Sequence, residues 1–232
     1  MSCIRIEDLA GPSEPDPPRQ IAAIPLVAGR EVFAAAAALT ACLAGSDLVI
    51  ARSGSSLVDP ARSIRELLEA AEVPIAAELS QIDLARTLEV LGAGARRVVY
   101  TDGATADPKT ISTVLTRVGR EHCLFQIDCD ALSPERIELT DADGRSLGVD
   151  CRQLLSRLET AGAARVILRP GRSMPSELLL PLIEDSGLSI HIERPGWSLA
   201  LADALGADGL VAEGALGCRE LLEWRCREPA LA

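Results

Sequence analysis

Lysine is almost missing from this chain. Lys109 is the only one among 232 residues, and it stands in the helix-start phrase DPKT, so Schiff-base chemistry of the aldolase or dehydroquinase kind has no residue to use. Positive charge is short overall: 23 Lys and Arg against 34 Asp and Glu leave a formal net charge of −11, with a pI near 4.7. Such a surface repels a phosphate backbone, which argues against nucleic-acid binding. Long apolar runs are missing too. The longest, VFAAAAALTACLA from Val32 to Ala44, is too short to span a bilayer and reads as a packed Ala-rich helix, so no membrane partner is expected. The seven cysteines (Cys3, Cys42, Cys123, Cys129, Cys151, Cys218, Cys226) form no C-x-x-C pair, and the N-terminus shows no basic region followed by an apolar one. They read as core filler in a reduced, cytoplasmic protein, with no metal site and no bound cofactor expected.

What remains is a repeated phrase. Residues 1 to 20 end in GPSEPDPPRQ, where Gly and Pro fill five of ten positions, so this stretch reads as an extended lead-in. From Ile21 to the end at 232 the chain reads as one domain that alternates short apolar strands with amphipathic helices, the sign of βα units and a parallel sheet. Eight strands are expected, over 21–27, 47–51, 73–77, 97–101, 123–127, 165–168, 188–192 and 209–212. Eight such units in a chain of this length predict a closed α/β (β/α)8 TIM barrel. The helix DPARSIRELLEAAE has Asp59 as N-cap, Pro60 at its first position and Ile64, Leu67 and Leu68 on one face. The phrases AGS, GAGA, AGAA and GADG supply helix stops before strands 2, 4, 6 and 8. The segment RIELTDADGRSLG, from Arg136 to Gly148, predicts a hairpin-like loop over the carboxyl-end face.

The strands fall into two matching halves. VIARSGS in strand 2 answers VILRPGRS in strand 6, pairing Arg52 with Arg169. VPIAAE answers LSIHIE, pairing Glu78 with Glu193, and DGA answers EGA, pairing Asp102 with Glu213. Three matches in order predict a duplicated half-barrel.

These phrases resemble the phosphoribosyl isomerase and cyclase barrels of histidine biosynthesis, from about Ile21 to Trp224, with the best matches in EVLGAGARRVVYTDGA and ALADALGADGLVAEGAL. The resemblance implies paired aspartates at the ends of strands 1 and 5 that share acid and base duty. Asp128 in FQID stands at the strand 5 position; on strand 1 Pro25 stands where the other belongs, and a proline carries no proton. It also implies glycine-rich turns holding two substrate phosphates. Gly103, Gly196 and Gly214 are kept, but AAELSQ, IERPGW and AEGAL set an acid in or beside the turns after strands 3, 7 and 8. A carboxylate about 4 Å from a phosphate opposes it by roughly 4 kcal/mol at an effective dielectric of about 20. The covering loop after strand 1 is also missing, since VAGR leads straight into EVFAAAA.

In such a barrel chemistry sits at the carboxyl ends of the strands. Here those ends carry Arg52, Glu78, Asp102, Asp128, Asp130, Arg169, Arg172, Glu193, Arg194 and Glu213. One reading makes them a self-neutralising structural rim, with Arg52 and Arg169 each pairing a neighbouring Glu. The other makes them a pocket for a small-molecule ligand of both signs, Asp128 being the acid/base candidate and Arg52 and Arg169 the anion-side anchors. Of the two histidines, His191 reads as core and His122 as structural at the opposite face. Three functions stay open: a diverged barrel binding or acting on a small polar metabolite, isomerase- or lyase-like if it is an enzyme; a non-catalytic binding or assembly subunit, in a homo-oligomer or with a protein partner; and a genuine phosphoribosylformimino-aminoimidazole carboxamide ribotide isomerase.

Overall fold

The computed structural model describes residues 20–26, 38, 46–53, 59–70, 74–133, 136–141 and 143–213. The expected lead-in up to residue 19, the expected Val32 to Ala44 helix apart from Ala38, and Gly214 lie outside them. The strands are β1 (Gln20–Leu26), β2 (Leu48–Ser53), β3 (Ile75–Leu79), β4 (Arg97–Tyr100), β5 (Cys123–Ser133), β6 (Arg136–Thr140), β7 (Ser146–Asp150), β8 (Arg165–Pro170), β9 (Ser189–Glu193) and β10 (Gly209–Glu213). Eight are parallel and closed into a ring in the order β1, β2, β3, β4, β5, β8, β9, β10, with β10 returning to β1. This is the (β/α)8 barrel that the alternation predicts. The two further strands are antiparallel: β5 runs on beyond the ring to Ser133 and continues into the β6–β7 hairpin. The segment expected to be hairpin-like is thus a two-stranded hairpin, and β5 gives it an edge to pair with.

Helices connect the ring strands: α1 (Pro60–Ala70), α2 (Leu84–Gly92), α3 (Pro108–Val118), α4 (Cys151–Thr160), α5 (Leu180–Glu184) and α6 (Leu199–Ala204). Aspartates start four of them. Asp59 accepts from the Ala61 and Arg62 N–H groups, Asp83 from Arg86, Asp107 from Lys109 and Thr110, and Asp150 from Gln153. Part of the acid excess is thus spent on helix N-termini, where negative charge meets unpaired N–H groups and the positive end of the dipole. After α2 and α4 the chain turns through Gly94 (φ 109°) and Gly162 (φ 95°), a left-handed conformation that side chains disfavour. No helix among the described residues is long and apolar enough to cross a membrane.

Strand alternation divides the core in two. Ala22, Val49, Ala77, Val98, Tyr100, Phe125, Val166, Leu168, Ile190 and Leu210 point outward and pack under the helices. Tyr100 is fully buried there, 5.6 Å from the Phe125 ring, with its hydroxyl 2.8 Å from that of Thr87. The alternate residues Ile21, Ala23, Leu48, Ile50, Ala76, Val99, Leu124, Ile167 and Val211 fill the barrel interior. Cys123, Cys129 and Cys151 are buried and unbridged, as core filler would be. Burial pushes the Cys123 thiol up to about 12, so it is not a thiolate nucleophile.

Candidate functional site

Continuing the interior alternation by one step toward the carboxyl ends changes its chemistry. Above Ile50 on β2 comes Arg52, above Ala76 on β3 Glu78, above Leu124 on β5 Gln126 and then Asp128, above Ile167 on β8 Arg169, and on β9 His191 and Glu193. Gln126, His191 and Glu193 are buried, at 2%, 0% and 1% exposure. An apolar barrel therefore ends in a charged and amide-lined mouth.

The contacts are specific. Arg52 donates from Nη1 to Glu193 Oε1 at 2.8 Å and from Nη2 to the other Glu193 oxygen. Its Nε stands 3.1 Å from Glu78 Oε2, and Nη2 also reaches Gln126 Oε1 at 3.3 Å. Gln126 passes the contact on, its Nε2 donating to Asp128 Oδ1 at 3.3 Å. Arg169 grips Asp128 with two parallel bonds, Nε to Oδ1 at 2.7 Å and Nη2 to Oδ2. Such planar fork-to-carboxylate pairing is a strong and directional arrangement. Burial works against the Arg169 charge, but the Asp128 carboxylate outweighs it and the guanidinium pKa is raised. Burial likewise raises the Glu78 pKa; Arg52 opposes this first, Glu193 and Asp128 add to it, and Arg169 opposes it.

The symmetric scheme, in which each arginine pairs a neighbouring Glu, holds in one half only. Arg52 does meet Glu78, but Arg169 takes Asp128 and leaves Glu193 to Arg52, across two intervening strands. Strand register explains the difference. Asp128 lies opposite Arg169 in the β5–β8 ladder, and Pro25 lies opposite Arg52 in the β1–β2 ladder. These are equivalent places in the two halves. With no carboxylate at residue 25, Arg52 satisfies its fork on Glu193 instead.

The remaining expected residues are spread around this mouth. Asp102 is exposed just past β4, and its pairing with Glu213 is off by one. Glu78 is opposite Val99 and Glu193 opposite Val211, so two residues further on Thr101, not Asp102, corresponds to Glu213 at the end of β10. Gly103 is buried at the start of a single 3-10 turn, where an added Cβ would stand 2.6 Å from the Tyr100 Cβ. Gly196 forms an exposed turn after β9 with φ 79°. Arg172 is exposed and offers its backbone carbonyl to Arg194, which also donates to the Met174 carbonyl at 2.7 Å and lies 5.0 Å over the Trp197 ring. Arg194 thus ties the loops after β8 and β9 together. Asp130 is half-buried, accepting from the Ala131 N–H at 2.8 Å, and packs against Gly171. His122 lies at the opposite end, its Nδ1 2.9 Å from the Arg96 carbonyl oxygen.

Gln126 is the member that motif reading passed over. Its signal is parity alone, since it shares the inward face of β5 with Asp128 two residues later. Among the described residues, no three His, Cys, Asp or Glu side chains come together in a way that would hold a metal ion.

No known family model matches this sequence, and no curated protein does either. The fold stands without them. A closed ring of eight parallel strands with surrounding helices is consistent with the broad isomerase and cyclase superfamily and specific to no one family within it. Barrels of this kind bind ligands at the carboxyl-end rim, which is where the charged mouth lies.

Proposed function

We propose that this barrel binds, or acts on, a small polar metabolite at its carboxyl-end mouth, and that it no longer runs the paired-aspartate isomerisation of histidine biosynthesis. One observation carries the reading. Above a middle layer of Ile50, Ala76, Val99, Leu124 and Ile167 the interior becomes an ion-paired network of Arg52, Glu78, Gln126, Asp128, Arg169 and Glu193, whereas the buried arginines of the amino end, Arg97 and Arg165, rest on the Glu121 backbone carbonyl. Taking charges out of water costs several kcal/mol per ion, and well-packed apolar residues close a barrel at least as well, so stability alone gives no reason for charge there. Pro25, standing in register where a second aspartate would be needed, supports the loss of the ancestral reaction. In this reading Arg169 and Asp128 orient the ligand, and Asp128 can take up acid or base duty only by releasing part of the Arg169 fork.

The test is turnover of the phosphoribosyl-formimino isomerase substrate by the purified chain beside Asp128→Asn. The expected result is no turnover by either protein and no thermal shift on adding the phosphorylated substrate. Turnover by the wild type that disappears in the variant would restore the histidine-pathway isomerase.

A second reading, a non-catalytic assembly subunit, is favoured by the hairpin. Leu132 and Leu147, exposed by 58% and 49%, lie beyond the ring on β5 and β7. Sedimentation of the wild type and of Leu132→Ser/Leu147→Ser tests it: a stable oligomer that the double variant dissolves would support it, and a monomer at all concentrations would contradict it.

A further inference from the structure

Among the described side chains, three carboxylates face the mouth from β3, β5 and β9, and two of them are fully engaged. Glu193 gives both oxygens to Arg52. Asp128 gives both to Arg169, and one of them also accepts from Gln126. Glu78 is held differently. Its Oε2 meets Arg52 Nε at 3.1 Å, while no donor among the described residues reaches Oε1. The side chain is nonetheless 85% removed from solvent, being 15% exposed. Its Oε1 is thus the carboxylate oxygen that stays open to the mouth, where a ligand's donor can replace water.

The donors that could have filled it are committed elsewhere. Arg52 spends Nη1 and Nη2 on Glu193, and Arg169 spends Nε and Nη2 on Asp128. Among the described side chains of the mouth, three carboxylates meet two guanidiniums, one negative charge in excess when all are ionised. An incoming phosphate would add to that excess. An incoming cation would cancel it, and Arg169, whose Nη1 makes no bond among the described residues, could take an acceptor oxygen on the same molecule.

We propose that Glu78, rather than Asp128, is the ligand's proton partner in this mouth, and that the ligand is a small compound joining a basic nitrogen to an acceptor oxygen, as in an amino acid or amino alcohol. This rests on reading the mouth as a ligand site, and it names the ligand's class. The proton transfer balances simply. If the carboxyl is protonated and the ligand arrives as an ammonium, the Glu78 O–H bond breaks, the proton leaves to solvent, and the carboxylate accepts an N–H from the ammonium. If the ligand arrives as a free amine, the same proton moves to its nitrogen. Burial first, and the neighbouring carboxylates Glu193 and Asp128, raise the Glu78 pKa above that of an ordinary glutamate against the opposing pull of Arg52 and Arg169, which extends to higher pH the range in which such a transfer operates.

Isothermal titration of the full chain with β-alanine, ethanolamine and inorganic phosphate tests this, in two buffers of different ionisation enthalpy. Wild type, Glu78→Gln and, as reference, the hairpin variant Leu147→Ala are compared after circular dichroism shows each to be folded. The expected result is that the nitrogen compounds bind and phosphate does not, with a buffer-dependent heat that reports released protons. Glu78→Gln should bind at least tenfold more weakly and lose the buffer dependence, while Leu147→Ala keeps both. Phosphate binding without nitrogen-compound binding would overturn the ligand class and leave the mouth as a ligand site. Equal binding and equal proton release in Glu78→Gln would overturn the role of Glu78. Failure of every probe to bind the wild type would overturn the ligand class and count against the mouth as a binding site.

Discussion

Replacing Arg52 by Met should be the most damaging single change in the mouth. Arg52 and Glu193 are 12% and 1% exposed, and the guanidinium covers both Glu193 oxygens. Without it the Glu193 carboxylate stays inside the barrel with its main partner gone. Breaking a buried pair from one side costs about 3–5 kcal/mol. A Coulomb estimate agrees, at roughly 4 kcal/mol for a pair about 4 Å apart in an effective dielectric of about 20. For a chain of this size that corresponds to a melting temperature lower by roughly 6–20 °C, at about 2–4 °C per kcal/mol. Removing both charges is a different perturbation. In Arg52→Met/Glu193→Leu the buried Glu193 carboxylate is gone and only the part-exposed Glu78 is left without Arg52, so much of the loss should be recovered. Differential scanning calorimetry of wild type, both single variants and the double variant measures the cycle. A single variant within about 1 kcal/mol of the wild type would show that the pair is not buried as described. A double variant as unstable as Arg52→Met would refute the argument that a stranded charge, rather than lost packing, sets the cost.

Further outcomes follow from the same geometry. Asp128→Asn weakens a bidentate contact whose partners are 22% and 38% exposed, so solvent screening limits its cost to about 1–2 kcal/mol, read as a modest fall in chemical-denaturation midpoint. Sequence position alone, with Asp128 at a rim and no partner assigned, would predict almost no change. Glu78→Gln should show a pH signature. Because the folded-state pKa of Glu78 is raised above its unfolded value, its contribution is fully present below the unfolded pKa and is lost as pH rises through the folded one. The melting temperature of Glu78→Gln relative to wild type should therefore climb as pH rises above the ordinary glutamate range, about pH 4; a flat difference would contradict the burial argument. Gly103→Ala forces a Cβ to within 2.6 Å of the Tyr100 Cβ and should cost about 1–3 kcal/mol with no direct effect on ligand binding, separating a packing glycine from a phosphate-turn glycine.

Much of this fold is written locally. Seven ring strands lie within two residues of the apolar runs that predict them, helped by local helix stops and by Asp caps at Asp83, Asp107 and Asp150, while β5 runs six residues further into the hairpin. The half-repeat is equally legible at Arg52 and Arg169 and at Glu78 and Glu193. It misleads at Asp102, where the phrases DGA and EGA match as words but the ladder register is one residue out. The choice of partners was not legible. That Arg52 reaches past two strands to Glu193 depends on ring closure and on the proline at residue 25, and no local pattern carries that information. Gln126 escaped for a related reason: an amide in a strand has no motif, and only its place between Arg52 and Asp128 gives it a role.

The most direct test of the central claim is equilibrium dialysis of the purified full chain against a small-molecule extract, with bound compounds identified by mass spectrometry and compared with Arg52→Met/Glu193→Leu. The mouth as a ligand site predicts a small polar compound retained by the wild type and lost from the double variant, with both proteins folded. The same compounds retained by both, or none by the wild type, would contradict it and leave the charged network a purely structural closure of the barrel.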